Sequence, residues 1–165
     1  MKKKIIFWRT LILVFVLFSN NSYANNGFQQ PTNFYITAKQ AQIKNIPILV
    51  MFSSIYCDYC KFIKKEFLKP MLKSGDYSDK VIIKIVEDDE SDEVIDFNRR
   101  IIDSGDFSDR YGITFTPTII FINSKGQEVA ERITGLGNVE YYGGFLDDAI
   151  DQALIKLNKY VQNVE

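Results

Sequence analysis

Ile48-Leu49-Val50-Met51-Phe52-Ser53-Ser54-Ile55-Tyr56-Cys57-Asp58-Tyr59-Cys60-Lys61 is the stretch on which the reading of this chain turns. Its first five residues form a continuous apolar run after Pro47, too short for most helices. Such a run predicts a strand buried on both faces of a covered sheet. From Cys57 to Phe67 the pattern is helical, with Phe62, Ile63, Glu66 and Phe67 marking one, mostly apolar side, and Pro70 bends or ends it. The two cysteines therefore stand where a buried strand hands over to a helix. Backbone N–H groups at a helix start carry partial positive charge, which stabilises a thiolate. Cys57 can then attack a disulfide in another molecule. Cys60, one turn later on the same face, can resolve the mixed disulfide.

Three plainer readings compete. A disulfide closing a four-residue loop constrains the unfolded chain by only about 2 kcal/mol, against about 4.7 kcal/mol for a 100-residue loop, so it is a poor staple. A structural zinc site needs four ligands, and two cysteines with no histidine supply half of them. Inert buried thiols are the third reading.

Outward from this stretch, Val81–Val86 predicts a second buried strand and Thr118–Ile122 a third. Asn123-Ser124-Lys125-Gly126 is a hairpin turn, with Gln127–Ile133 as the returning strand. Residues 35–45 place Ile36, Ala41 and Ile43 at near-helical spacing. Glu87–Glu93 carries six acids in seven positions and leads into a helix through Val94, Ile95, Phe97, Ile101 and Ile102. The alternating Asp and central Gly of a calcium loop are missing there, so the acids read as a solvated loop and an acid-favoured helix start. A short helix over Asp106–Tyr111 closes at Gly112, and a final helix runs from Val139 to about Val161, weakened by Gly143-Gly144. The order helix–strand–helix–strand–helix–strand–strand–helix describes one three-layer α/β/α domain over residues 35–165.

The chain has 165 residues, 46% hydrophobic and 25% charged, which excludes disorder and a disulfide-rich miniprotein. Its 20 basic and 21 acidic residues are unevenly spread. Lys2, Lys3, Lys4 and Arg9 lie in residues 1–24, which hold no acid; the remaining 141 residues carry 16 basic against 21 acidic, a net charge of −5. That sign gives no attraction to nucleic acid or anionic lipid. With no histidine, Ser-His, Cys-His and His-metal chemistry are excluded.

The N-terminus has the three parts of a secretory signal peptide: a basic start, the apolar Leu11–Phe18, and the small-x-small site Ser22-Tyr23-Ala24. Ile5–Phe18 is interrupted by Arg9 and Thr10 and falls short of the roughly 20 residues a membrane span needs. Cleavage after Ala24 is the expectation, with an uncleaved membrane anchor as the alternative. Residues 25–34 then form a polar leader. The only two cysteines work where disulfides persist.

Phe52-Ser53-Ser54 followed by Cys57-x-x-Cys60-Lys61 resembles the redox centre of the thioredoxin superfamily. Tyr111-Gly112-Ile113-Thr114-Phe115-Thr116-Pro117-Thr118 is similar to the family's Y-G-[VI]-x-x-x-P-T segment, and Lys125-Gly126 and Gly135 match its closing hairpin. The resemblance covers about residues 35–155 and points to a secreted bacterial branch. It implies the thioredoxin fold, a central mixed sheet flanked by helices, and a thiol–disulfide oxidoreductase. Cys57 would be the nucleophile, Cys60 the resolving thiol, and Thr116-Pro117 the edge where substrate backbone docks, its proline cis and facing the cysteines. Asp58 and Tyr59 replace the Gly-Pro of thioredoxin and would tune the potential; Tyr56 replaces its Trp. Met51 stands where thioredoxins carry a buried acid, and Glu87 or Lys84 on the neighbouring strand are the candidates to substitute. Two stretches, Lys69–Lys80 and Glu87–Asp106, are longer than in minimal thioredoxins.

The resemblance implies no cofactor beyond the dithiol and no metal. The expected setting is the bacterial periplasm, where a monomer exchanges with thiols and disulfides of exported proteins and draws electrons from a membrane donor. Potentials in this fold run from about −270 to about −120 mV, some 7 kcal/mol apart, with the same motif at both ends. Asp58 beside Cys57 disfavours a thiolate there and tilts the expectation towards a reductase. A dithiol oxidase or isomerase, a metal-handling protein and a binding module of the same fold are the alternatives.

Overall fold

The computed structural model describes residues 32–87 and 92–162, with the side chains of residues 160–162 excepted. The expected signal peptide, most of the leader and the centre of the acidic run lie outside the described residues. At the end of the expected leader, Thr32–Asn33 is already a short strand, β1. Asn33 then caps α1, Phe34–Lys44, by accepting the backbone N–H of Ile36 at 3.0 Å, so the helix begins one residue before the expected 35.

The central sheet is built on β2, Ile48–Ser53, and all six of its residues are fully buried. It pairs in parallel with β3, Ile82–Glu87, and antiparallel with β6, Thr118–Ile122. The continuous apolar run follows from that central place. Leu49 and Met51 join Ile83, Ile85, Ile119 and Phe121 in one core, while Ile48, Val50 and Phe52 join Val86, Ile120 and Ile122 in the other. The first core is covered by Ile63, Leu68 and Met71 of the cysteine helix and its continuation, and by Leu146, Ile150 and Ala153 of the last helix. The second is covered by Phe34 and Ala41 of α1 and by Phe107, whose ring stacks on Phe34 at 4.3 Å. The result is the expected three-layer α/β arrangement with a mixed sheet ordered β3-β2-β6-β7, where β7 is Ile133–Thr134.

The cysteine helix comes in three parts. Asp58–Ile63 (α2) is α-helical, Lys64–Leu68 is a π turn, and Lys69–Ser74 (α3) is α-helical again. Pro70 neither ends the helix nor bends it into a loop; it sits at the start of α3. Its ring has no N–H and crowds the carbonyl four residues back, and the wider π turn lies where that crowding falls. Gly75, at φ 79°, closes α3 in the left-handed conformation.

The expected helix through Val94 and Ile102 is instead a hairpin. Strands β4, Glu93–Ile95, and β5, Ile101–Asp103, pair antiparallel, and β1 lies beside β4 to make a second, three-stranded sheet. Asp96 decides the matter. Its carboxylate accepts the backbone N–H groups of Asn98 and Arg100 at 2.8 and 2.9 Å and bends the chain, with Arg99 left-handed at φ 64°. Val94, Ile95, Ile101 and Ile102 are β-branched, and folded about that turn they stand opposite one another. Phe97 at the tip rests against the second core and the Asn123–Gly126 turn, where a Cβ on Gly126 would lie 2.9 Å from the Phe97 ring.

The short helix α4 spans Ser104–Arg110, two residues earlier than expected, because Asp103 caps it by accepting from Gly105 N–H. The turn at Asn123–Gly126 forms as expected, closed by Asn123 and Gln127. The returning strand does not. Only a bridge at Glu128 and β7, Ile133–Thr134, pair with β6. Between them Arg132 leaves the ladder to bond the Tyr111 carbonyl and the Glu128 carboxylate. The last helix opens with a 3₁₀ turn at Val139–Tyr141 and continues as α5, Tyr142–Gln162, straight through Gly143-Gly144.

Candidate active site

Three chain segments meet at the C-terminal end of β2. Ser54–Tyr56 leave the strand, Cys57 opens α2, and Thr116-Pro117 precedes β6, whose first residue Thr118 is registered against Phe52. Cys57 is the N-cap of α2. Its backbone is extended, its N–H donates to Ser54 O at 3.1 Å, and its Sγ accepts the N–H of Cys60 at 3.1 Å. A sulfur in that position faces the unpaired amides of the first helical turn, where negative charge is stabilised. Cys57 and Cys60 are joined in a disulfide, their Cα atoms 5.2 Å apart. Cys57 is half-buried and Cys60 fully buried, packed with Met51, Ile63 and Ile119 in the first core. One sulfur is thus within reach of another molecule and the other is reached only through the first.

A cleft of about 540 Å³ opens over Cys57, lined by Ser54, Tyr56, Cys57, Asp58, Tyr59 and Thr116. Four of the residues singled out from the sequence, Cys57, Asp58, Tyr59 and Thr116, therefore share one wall system. Pro117 is buried next to it, with a cis Thr116–Pro117 bond, and its carbonyl accepts the N–H of Gly135 at 2.8 Å. Phe115 beside it is 58% exposed, as is Tyr59 at 61% and Tyr56 at 86%. Of these, Tyr56 and Tyr59 line the cleft itself.

Asp58 does not stand alone as a negative charge. Its carboxylate takes the Lys61 ammonium at 2.9 Å, on the solvent side of α2. The pair offsets much of the field that Asp58 alone would place on Cys57, and both ends are screened by water.

The two candidates for an ionisable group beneath the cysteines separate cleanly. Lys84 is registered against Val50 and shares the β3 face of Ile82 and Val86, which belongs to the second core. It lies across the sheet from Cys60, and burial pulls its ammonium below the ordinary lysine range. Glu87 is registered against Ser53, and the strand alternation puts it on the face of Ile83 and Ile85, the Cys60 side. There one of its oxygens accepts from Lys64 Nζ at 2.7 Å. Lys64 was not foreseen. It follows Cys60 by four residues, and that helical spacing is the signal that points to it. Among the described residues no group of three or more Cys, Asp or Glu side chains is placed to hold a metal, and no helix is long and apolar enough to cross a membrane.

No curated protein matches the sequence. Among solved structures, a thioredoxin-fold protein from Helicobacter pylori aligns over 87% of this chain and 97% of its own, at 19% identity and a TM-score of 0.50. Thioredoxin O2 from Arabidopsis thaliana, in its oxidized state, aligns over 70% and 84%, at 19% identity and a TM-score of 0.48. Fasciola hepatica thioredoxin aligns over 74% and 95%, also at 19% and 0.48. The Helicobacter pylori likeness is one of fold. The family of the thioredoxin-like domain matches from residue 34 to residue 150, across the cysteine pair, the Thr116–Pro117 bend and the first part of the last helix. By that match the chain belongs to the thioredoxin superfamily, as a thioredoxin-like protein with a Cys57–Cys60 redox pair.

Proposed function

We propose that this chain is a thiol–disulfide oxidoreductase working outside the cytosol, where it reduces disulfides in exported proteins. The observation that carries the reading is the asymmetry of the cysteine pair: Cys57 at a helix N-cap under an open cleft, Cys60 fully buried behind it. In the reduced chain the Cys57 thiolate attacks one sulfur of a substrate disulfide. A Cys57–substrate bond forms, the substrate S–S bond breaks, and one substrate thiolate leaves. The Cys60 thiolate then attacks Cys57 Sγ, the intramolecular disulfide forms, and the second substrate thiolate leaves. The substrate gains two electrons and the chain loses two. A dithiol donor at the membrane returns them. Tyr56 and Tyr59 on the cleft wall favour a polypeptide there over a small thiol, and Thr116 and Pro117 would hold its backbone.

The expected signal peptide supports the location, and cleavage after Ala24 would leave a soluble monomer in the periplasm. Mass spectrometry of the exported protein checks the mature start at Asn25. The chemistry is tested by reduction of insulin with dithiothreitol as donor. The expected result is turnover that disappears in Cys57→Ser, while Cys60→Ser accumulates mixed disulfides with exported proteins. Absence of turnover in the parent chain would return the reading to a binding module. A potential near about −120 mV would turn it towards a dithiol oxidase.

A further inference from the structure

A second hollow, of about 250 Å³, opens at the β7 edge of the central sheet. It lies between Glu131–Ile133, where the returning stretch leaves the β6 ladder, and one face of α5. Phe145, Asp148 and Gln152 are spaced three and four residues apart and so share that face. Ile133 and Ala149 line the hollow and also pack with the first core, the core against which Cys57 rests. Phe145 keeps 49% of its surface exposed. The lining is therefore apolar with polar groups set around it. Its one cation is already engaged, because the Arg132 guanidinium bonds the Tyr111 carbonyl and the Glu128 carboxylate. Glu131 and Asp148 have no ion-pair or hydrogen-bond partner among the described residues. With Arg132 and Glu128 counted as a neutral pair, the hollow keeps two negative charges. Its volume is below the roughly 300–1,000 Å³ of ligand pockets, which suits one long side chain better than a cofactor.

We propose that this hollow is a specificity pocket for a basic side chain of the substrate polypeptide, arginine in first place. The assignment rests on the exchange reading above. An arginine brings an aliphatic stem for Ile133 and Ala149 and a planar cation for the two carboxylates, with the Phe145 ring as a further partner for the charge. The Gln152 amide oxygen can accept one more of its N–H groups. The hollow is also placed to meet a chain that docks at the redox cleft. The Pro117 carbonyl accepts the Gly135 N–H at 2.8 Å, and Ile133 stands two residues before Gly135, registered against Ile119. Two extended residues span about 7 Å, so a polypeptide held at Thr116-Pro117 reaches the hollow within a few residues of its own cystine. The net charge of −5 over residues 25–165 steers a basic partner in the same sense.

The test mixes the intact reduced chain with extended peptides whose cysteine carries a nitrothiobenzoate group. Attack by Cys57 on the peptide sulfur forms the mixed disulfide and releases that group as a yellow thiolate. The peptides place arginine, or its uncharged isostere citrulline, at successive positions on either side of the cysteine. At one offset arginine should lower the half-saturating peptide concentration by about three- to tenfold, with the limiting rate changed less than about twofold. Glu131→Gln combined with Asp148→Asn should remove that difference. Asp148→Lys should reverse it, so that glutamate at the same offset is preferred to arginine. Both acids are exposed, and unchanged urea midpoints would show that the variants keep the fold. Release that is equal for arginine and citrulline at every offset would overturn the pocket while leaving exchange intact. An arginine preference that survives the double variant would overturn it too. Failure to release thiolate from any peptide is a different result, which would sink the exchange reading and the pocket with it.

Discussion

Asp96 and Glu87 are two carboxylates that the fold takes inward to different depths, and they are treated in opposite ways. Asp96 is fully buried and fully used. One oxygen accepts the amides of Asn98 and Arg100, and the other accepts Arg100 Nε at 3.0 Å and an Arg110 guanidinium N–H at 3.1 Å. Burial alone would push this acid up. The Arg100 and Asn98 amides and the two guanidiniums outweigh it and hold the carboxyl at about 2. The cover is thin, since Arg100 and Arg110 are themselves 62% and 40% exposed. Glu87 has one oxygen bonded and one left open. The first carboxylate is a knot that ties the β4–β5 hairpin to α4. The second keeps an unused acceptor on the side of the sheet that the cysteine helix covers. A saturated acid stabilises a shape; a half-saturated one leaves an acceptor open.

The comparison is sharpened most strongly at the cysteines themselves. Cys57→Ser should abolish exchange while leaving the urea midpoint of the reduced protein within experimental error, because a half-buried sulfur on a helix cap is replaced by a good capping hydroxyl. Asp96→Ala should do the reverse. It leaves the Asn98 and Arg100 amides without their acceptor and should cost about 2–3 kcal/mol in chemical denaturation, with insulin reduction by the folded fraction unchanged. A variant that lost activity while still folded would show that the Asp96 knot does more than stabilise a shape.

The acid side of the stability curve offers a smaller effect. The folded value of Asp96 is depressed, so its stabilisation is fully present above about pH 4 and is lost as the pH falls towards about 2, an effect of about 1–2 kcal/mol after screening through the exposed arginines. Urea midpoints across that interval should fall more in the parent chain than in Asp96→Asn. Parallel curves would show that the knot does not depend on ionisation. The smallest effect belongs to Asp58. Replacing it with Asn removes a charge already paired with Lys61 and should raise the reduction potential by about 30 mV or less, roughly 1.4 kcal/mol, in glutathione buffers. A fall would mean that Asp58 does not act through the Cys57 thiolate.

What the sequence made legible follows from where each segment sits. β2, β3 and β6 are central strands buried on both faces, and their runs of Ile, Val, Leu and Phe announce it without help from the rest of the chain. Cys57 and Cys60 were legible from their place after such a strand, whereas Thr116 and Pro117 were legible only through the family resemblance of the Tyr111–Thr118 segment. The hairpin at Glu93–Asp103 was not. Val94, Ile95, Ile101 and Ile102 fit a helical spacing and a hairpin register equally well, and the choice is made by how the Asp96 side chain grips the backbone beyond it. The returning strand after Gly126 failed because a single arginine, Arg132, finds its partners off the ladder. The Lys64–Glu87 contact joins residues 23 positions apart and depends on two registers at once, Ser53 against Glu87 in the sheet and the helical turn that follows Cys60. Neither register is written in a local pattern.

The hydrogen bond from Cys60 N–H to Cys57 Sγ makes the oxidation state of the pair audible in the backbone. In the disulfide the acceptor is a weakly polar, neutral sulfur; in the reduced centre with Cys57 ionised the same donor meets a full negative charge. The bond strengthens on reduction, and the first turn of α2 frays less. The Cys60 amide should therefore exchange its hydrogen with solvent more slowly in the reduced protein than in the oxidised one, even though reduction removes a covalent cross-link from that turn. A single resolved amide signal would then follow the redox cycle from inside the helix it starts.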